Sequence, residues 1–333
     1  MTLPAWHPES LAARLPFLRR RALLTQAVRA FFAARGYTEV ETPYAVTAPG
    51  EEVHLATFRT ERVAPTGARR PLWLHTSPEF AMKRLLVGGA GPIFQLARVW
   101  RNGEGSFLHL PEFTMLEWYH PGAGMSDLIA ETFSLLRAVL PPTVACRGVT
   151  TSLDRCEVMT VADAFHRFAG ADLLETAGDA ASLAAQANTT VRDGEDWEDL
   201  FFRLLLERIE PAIGHDCPTF LTHWPAAQAA LARRDPADTR VAERFELFIC
   251  GIELANAFVE LTDAKEQRER FIADRARRRA LYGDEQWPLD EDFLAALAHG
   301  MPASAGIALG FDRLAMIASG ADRVEQVLWL PPP

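Results

Sequence analysis

Lysine is nearly missing from this chain. Of its 34 Lys and Arg residues only Lys83 and Lys265 are lysines, a bias toward arginine that by itself fixes nothing about function. Cysteine is scarce as well. Cys146, Cys156, Cys217 and Cys250 include no two at the roughly two-to-four-residue spacing of a zinc knuckle or a redox pair, so a reducing compartment is expected. No apolar run approaches the roughly 18 residues of a membrane span. Met1 to Ser10 lacks the basic-then-apolar pattern of a signal peptide, and a cytoplasmic location with no membrane partner is expected. Positive charge is also in deficit, 34 basic against 44 acidic residues for a net charge of −10. Bulk binding of nucleic acid therefore has no general electrostatic support.

What remains is ordinary globular composition. The 333 residues are 49% hydrophobic and 23% charged, enough to bury a sizeable core and too apolar for disorder. Without an internal repeat, linker or low-complexity stretch, one domain over residues 1–333 is expected. Phe17, Leu24, Val28 and Phe31 recur at helical spacing ahead of Gly36, which predicts an amphipathic helix from Phe17 to Arg35. Tyr37 to Pro43 and Pro71 to His75 read as short strands, and Ser77-Pro78-Glu79 opens a helix reaching about Val87. Ile93 to Arg101 and Glu112 to Tyr119 form a hairpin around a connector with Gly103, Gly105 and Pro111. Helices at about Ser126 to Leu140, Thr160 to Phe168 and Glu195 to Ile209 look like an insertion covering one side of a sheet. Strands from Ala242 to Ile249 and Ile252 to Glu260 flank Cys250-Gly251, and a polar helix spans Asp263 to Tyr282. A strand from Ser304 to Leu309 then leads into a helix from Phe311 to Ala318 capped by Gly320. Distant strands without regular alternation with helices argue for an α+β fold, an antiparallel sheet flanked by helices.

Three clusters carry chemistry. In the first, Arg101 begins a hairpin loop, and strand parity puts Phe113, Met115, Glu117 and Tyr119 on one face, with Thr114, Leu116 and Trp118 on the other. A carboxylate between aromatics must be solvated or paired. In the second, Asn256, Phe258 and Glu260 share a face, and Glu246 and Glu253 are oxygen donors that can converge on Mg²⁺ across their hairpin. Parity opposes Glu253 sharing the face of Asn256 unless the strand bulges near Ala255. The third is Gly306-Ile-Ala308-Leu-Gly310-Phe-Asp-Arg313, where glycines open the backbone to a ligand and Arg313 suits a phosphate. His109 by itself reads as an ordinary loop histidine.

Taken together the clusters resemble motifs 2 and 3 of class II aminoacyl-tRNA synthetases, with Glu41-Thr-Pro43 similar to the proline end of motif 1. The lysyl subgroup is nearest, through Thr76-Ser-Pro-Glu79, His109, Pro111-Glu-Phe-Thr-Met, Glu117-Trp-Tyr119 and Glu253-Leu-Ala-Asn-Ala-Phe-x-Glu260. The catalytic pattern starts by about residue 17, so no N-terminal anticodon-binding barrel is expected. With Trp118 and Ala308, that pattern resembles the elongation factor P β-lysine ligases, synthetase paralogues that modify a translation factor.

The resemblance implies ATP and Mg²⁺ as cofactors, a homodimer, (R)-β-lysine or lysine as the small substrate, elongation factor P as the acceptor, and no tRNA. It implies Arg101 on the α-phosphate and Arg313 at the γ-phosphate as the catalytic pair. Phe113 would stack on adenine, Asn102, Glu104, His109 and Gly310 would complete the ATP site, and Glu246 and Glu253 would hold the metal. Glu79, Glu117, Tyr119, Asn256, Phe258, Glu260 and Ala308 would form the amino-acid pocket, acids for the amino groups and an aromatic wall for the methylenes. Two departures stand out. Gly103 occupies the usual motif-2 acid position, so Glu104 is expected to make that contact, and Ala308 replaces a glycine and narrows the pocket near the substrate's α-carbon. Charging of tRNA with lysine and a non-catalytic synthetase relative remain as alternatives at this point.

Overall fold

The computed structural model describes residues 3–229, 231–283 and 287–332. Its first helix, α1 (Pro8–Ala33), starts at Pro8 rather than Phe17 and runs through Pro16. Pro8 and Glu9 suit a first turn, and His7 caps it by accepting from the Glu9 N–H at 3.3 Å. Leu18, Leu24, Val28, Phe31 and Phe32 form its buried stripe. The expected strand from Tyr37 to Pro43 shrinks to β1 (Thr38–Glu39). After it, β2 (Ala45–Val46), β3 (Arg59–Val63) and β4 (Arg69–Leu74) make a small antiparallel sheet in the order β2-β4-β3. All of β3 is exposed, so no apolar alternation announces it.

Helix α2 (Glu79–Val87) follows, then the hairpin β5 (Ile93–Trp100) and β6 (Glu112–Pro121), then α3 (Met125–Val139). The insertion begins with a hairpin, β7 (Thr143–Cys146) and β8 (Val149–Ser152), and continues into β9 (Glu157–Thr160). Its helices are α4 (Val161–Ala164), α5 (Ala180–Gln186) and α6 (Trp197–Leu204). Both α4 and α6 end in a wider π turn, to Ala169 and Ile209. Next come β10 (Thr219–Pro225), β11 (Val241–Ile249), β12 (Ile252–Val259), α7 (Ala264–Tyr282), α8 (Glu291–Gly300), β13 (Ser304–Gly310) and α9 (Phe311–Ser319).

The main sheet has eight strands in the order β1-β5-β6-β13-β12-β11-β10-β9. Its six inner strands pair antiparallel as expected, while β1 on β5 and β9 on β10 pair parallel and make the sheet mixed at both edges. One face packs on α1, α3 and α9 through Leu116, Trp118, Leu247, Ala257, Ile307 and Leu309, together with helical residues such as Val28, Leu135 and Leu314. Alternation then sends Phe113, Met115, Glu117 and Tyr119 to the opposite face. That face carries the site. The insertion forms its own apolar cluster around Phe165, Leu200 and Phe201 and joins the sheet through Leu221, Trp224 and Phe248.

Candidate active site

A cavity of about 580 Å³ opens on the face of the sheet away from α1, α3 and α9. Its wall includes Arg101, Glu104, His109, Phe113, Glu253, Gly310 and Arg313 at one end, and Ser77, Glu79, Asn256, Phe258 and Ala308 at the other. Two hairpins and a strand-to-helix junction supply most of these residues, because β6, β13 and β12 lie side by side at the centre of the sheet, and the turn into α2 adds Ser77 and Glu79.

At the first end the Arg101 guanidinium lies 5.2 Å from the centroid of the Phe113 ring and 3.9 Å from Glu104 Oε1. Its Nε is buried without a hydrogen-bond partner among the described residues, as suits a donor reserved for a ligand. Arg313 Nη2 donates to His109 Nε2 at 2.5 Å, and its Nη1 donates to the Glu253 carbonyl at 2.6 Å. Since Nε2 accepts, the proton of His109 sits on Nδ1, which faces Ser106 Oγ at 3.0 Å. Burial, aided by the Arg313 charge, lowers the His109 pKa and keeps the ring neutral. The loop histidine therefore aims a phosphate-type arginine. Burial raises the Glu104 pKa, against the pull of Arg101 and Arg313.

The other end is floored with carboxylates. Ser77 Oγ donates to Glu117 Oε2 at 2.7 Å and the Tyr119 hydroxyl donates to Glu117 Oε1 at 2.6 Å. Lys83 Nζ lies 2.5 Å from both Glu79 Oε1 and Glu260 Oε2. Burial alone would lower the Lys83 pKa; the two carboxylates override it and hold the ammonium above its usual range. Burial pushes Glu117 up to about 8, with the Glu79 charge adding to it. Glu260 is pushed to about 7 by burial and Glu79, with Lys83 opposing. Gly306 makes this floor possible, since a Cβ there would lie 2.3 Å from Tyr119 Cε1 and 2.6 Å from Glu260 Oε1.

Glu246, opposite Asn256 across β11 and β12, is the centre of a third group. Burial pushes it to about 8, Arg244 opposes, and Glu253 and Glu210 add repulsion. Glu210 is itself raised to about 7 by burial and Glu253. The register slips between Leu247 and Phe248, which face Ala255 and Glu253 respectively. Leu254 is thus the extra residue of a bulge, and Glu253 turns to the face of Asn256 as strand parity required. Oxygen donors with surplus negative charge fit a hard cation such as Mg²⁺. No group of three or more acids, histidines or cysteines among the described residues is close enough to bind a metal alone, so phosphate oxygens would complete its shell.

Most of the residues singled out from the sequence meet at this cavity, at two depths. Glu117, Tyr119, Glu246 and Glu260 lie just under its wall, all buried. Asn102 is exposed and outside the wall, its Oδ1 accepting from the Gly103 N–H at 2.9 Å. Sequence reasoning passed over Glu52, Lys83, Glu210, Gln228 and Arg244. Arg244 is a hub: it donates to Asn256 Oδ1 at 3.0 Å and to the Gln228 carbonyl at 2.6 Å, pairs with Glu246 at 2.5 Å, and lies 4.1 Å from the Trp224 ring. The spacing of Glu79 and Lys83, four apart on one helix, was a usable signal. Glu52 comes from a loop and Glu210 from a single 3-10 turn after α6, neither with a local pattern.

A family model described as tRNA synthetases class II (D, K and N) matches residues 13–332. The chain is also 45% identical over 329 residues to the elongation factor P–(R)-β-lysine ligase of Sodalis glossinidius (strain morsitans), covering 97% of this chain and 96% of that protein. The corresponding ligase of Edwardsiella ictaluri (strain 93-146) is 44% identical over 330 residues, covering 98% and 97%. The chain belongs to the class II tRNA synthetase family, among its elongation factor P ligases. In this family setting the β5–β6 hairpin with Arg101 and the β13–α9 junction with Arg313 are the segments that the sequence likened to motifs 2 and 3. No helix among the described residues is long and apolar enough to cross a membrane.

Proposed function

We propose that this protein activates (R)-β-lysine, or lysine, as an adenylate at the expense of ATP and transfers the acyl group to a lysine ε-amine of elongation factor P. The observation that carries this reading is one cavity with two arginines and an aromatic ring at one end and an acid floor at the other. Arg101 binds the α-phosphate, Arg313 the γ-phosphate and Phe113 the adenine, with Glu104 at its edge. Gly310 completes the nucleotide site, whereas Asn102, outside the wall, has no part in it. A carboxylate oxygen of the amino acid attacks the α-phosphorus and pyrophosphate leaves. The acceptor nitrogen then attacks the acyl carbon, AMP leaves, and the nitrogen loses a proton. An attacking carboxylate arrives ionised, so the residues supply charge neutralisation and alignment more than general-base catalysis. Mg²⁺ held at Glu246 and Glu253 would neutralise phosphate charge.

At the amino-acid end Glu79, with the charge of Glu117 and Glu260 beneath it, compensates the ammonium groups, Phe258 walls the methylenes with Tyr119 behind the wall, and Asn256 supplies an amide beside Ala308. The active unit is one catalytic domain over residues 1–333 working as a cytoplasmic homodimer, with no call on tRNA. Incubating elongation factor P with the protein, ATP and either lysine isomer, followed by intact-mass measurement, tests the reading. A gain of one lysyl group, dependent on ATP, is expected, with no more than weak charging of tRNA. Robust, salt-sensitive tRNA charging and unmodified elongation factor P would reverse the assignment.

A further inference from the structure

The basic side chains in the cavity wall are arginines apart from the histidines; beneath its acid floor stands a lysine. Lys83 is 1% exposed and is not part of the wall, so it has no surface to offer a substrate. Its Nζ bridges two acids that differ in position. The Glu260 side chain is 1% exposed, whereas the Glu79 side chain is 11% exposed and reaches the cavity. Without the ammonium, Glu79 and Glu260 would share a dry site with Glu117 and no positive charge among them, which mutual repulsion and desolvation oppose. A compact ammonium with three rotatable donors fits between two carboxylates of different elements, where the flat fork of arginine would need a bidentate partner. That explains a lysine here in a chain that, Lys265 apart, builds the rest of its positive side-chain charge from arginine.

We infer that Lys83 is a positioning residue. Anchored by Glu260, its ammonium fixes Glu79 in the orientation that receives an amine of the substrate, and so sets the preference for an acid bearing that amine. This rests on the activation reaction proposed above.

The test compares wild type with Lys83→Met, which removes the charge at similar length, and Lys83→Gln, which keeps one donor. Pyrophosphate exchange is followed with lysine, and with norleucine and 6-aminohexanoate as substrates or as competitive inhibitors; each of the two lacks one amine. In the Met variant the KM for lysine is expected to rise at least about tenfold, with the KM for ATP unchanged and the Gln variant intermediate. The analogue lacking the amine that Glu79 receives is expected to bind wild type and variants alike. An unchanged lysine KM, or an equal loss for ATP and all three acids, overturns the inference and leaves Lys83 a structural ion. If the Met variant does not fold, the Gln variant carries the same comparison. Wild type that activates no acid with either amine overturns the proposed function and this inference together; active wild type with matching variants overturns only the latter.

Discussion

Arg21 on α1 and Asp312 on α9 form an ion pair, Nη1 to Oδ1 at 2.6 Å, with side chains 10% and 3% exposed. The other Asp312 oxygen accepts from the Thr114 N–H on β6 at 3.0 Å, and Arg21 Nη2 donates to Thr114 Oγ1 at 3.0 Å. Three elements are thereby locked together one residue before Arg313. Replacing Asp312 with Asn leaves the Arg21 cation buried with no opposing charge at that position, which costs about 3 kcal/mol in comparable buried pairs. Chemical denaturation is expected to show that loss; a change below about 1 kcal/mol would mean that the pair adds little.

Arg101→Ala is expected to cut adenylate formation to under about a tenth of wild type, on the order of 1.4 kcal/mol of lost transition-state stabilisation. Stability should move little, because the guanidinium's contacts, Glu104 and the Phe113 ring, lie within the site. Pyrophosphate exchange alongside thermal melting separates the two effects, and activity retained with the melting point intact removes Arg101 from the phosphate role.

Protons held in the acid floor link stability to pH. Glu117 and Glu246 lie near 8 and Glu260 near 7, against an ordinary 4.5. Between about 4.5 and 8 the folded protein therefore binds more protons than the unfolded chain, so stability is fully present below that window and falls as pH rises through it. A lysine ammonium brought to Glu79, above Glu117 and Glu260, favours the charged forms of these buried acids and expels protons. Calorimetric titration with lysine at pH 7, in buffers of different ionisation enthalpy, should show net proton release; heats that do not depend on the buffer would contradict it.

Ala308 lies opposite Glu117 on one side and Asn256 on the other and contributes to the cavity wall. Opening its methyl volume by Ala308→Gly should shift the kcat/KM ratio toward α-lysine over β-lysine by about 10- to 200-fold, the range that one methylene in an apolar pocket commands. An unchanged ratio would place the discrimination between isomers elsewhere.

Periodicity carried much of the fold. The central hairpins, α3 and the β13–α9 junction were legible because each has an apolar face of two- or 3.6-residue period, and the pocket followed from strand parity. The bulge at Leu254 was foreseeable as a condition, since Glu253 and Asn256 both had to face a ligand, but its place depends on pairing with β11. The edge pairings of β1 and β9 were illegible: short strands far apart in sequence pair parallel only once the rest of the sheet is built. The same holds for β3, whose exposed polar residues carry no core signal, and for Glu210, brought to Glu246 from the insertion by packing alone.

Scarcity of lysine has a chemical consequence for an enzyme that holds an aminoacyl adenylate in a cavity reaching exposed residues such as His54 and Ala273. A mixed carboxylic–phosphoric anhydride acylates whatever free amine reaches it, and a lysine-rich surface would be consumed by its own intermediate. Of the two lysine side chains in this chain, Lys83 is locked beneath Glu79 and Glu260, and only Lys265 is exposed, in the first turn of α7. Arginine, protonated at any working pH, supplies the remaining positive charge without offering a nucleophile. In its side-chain amines the protein is thus almost inert toward the chemistry it directs at the lysine of another molecule.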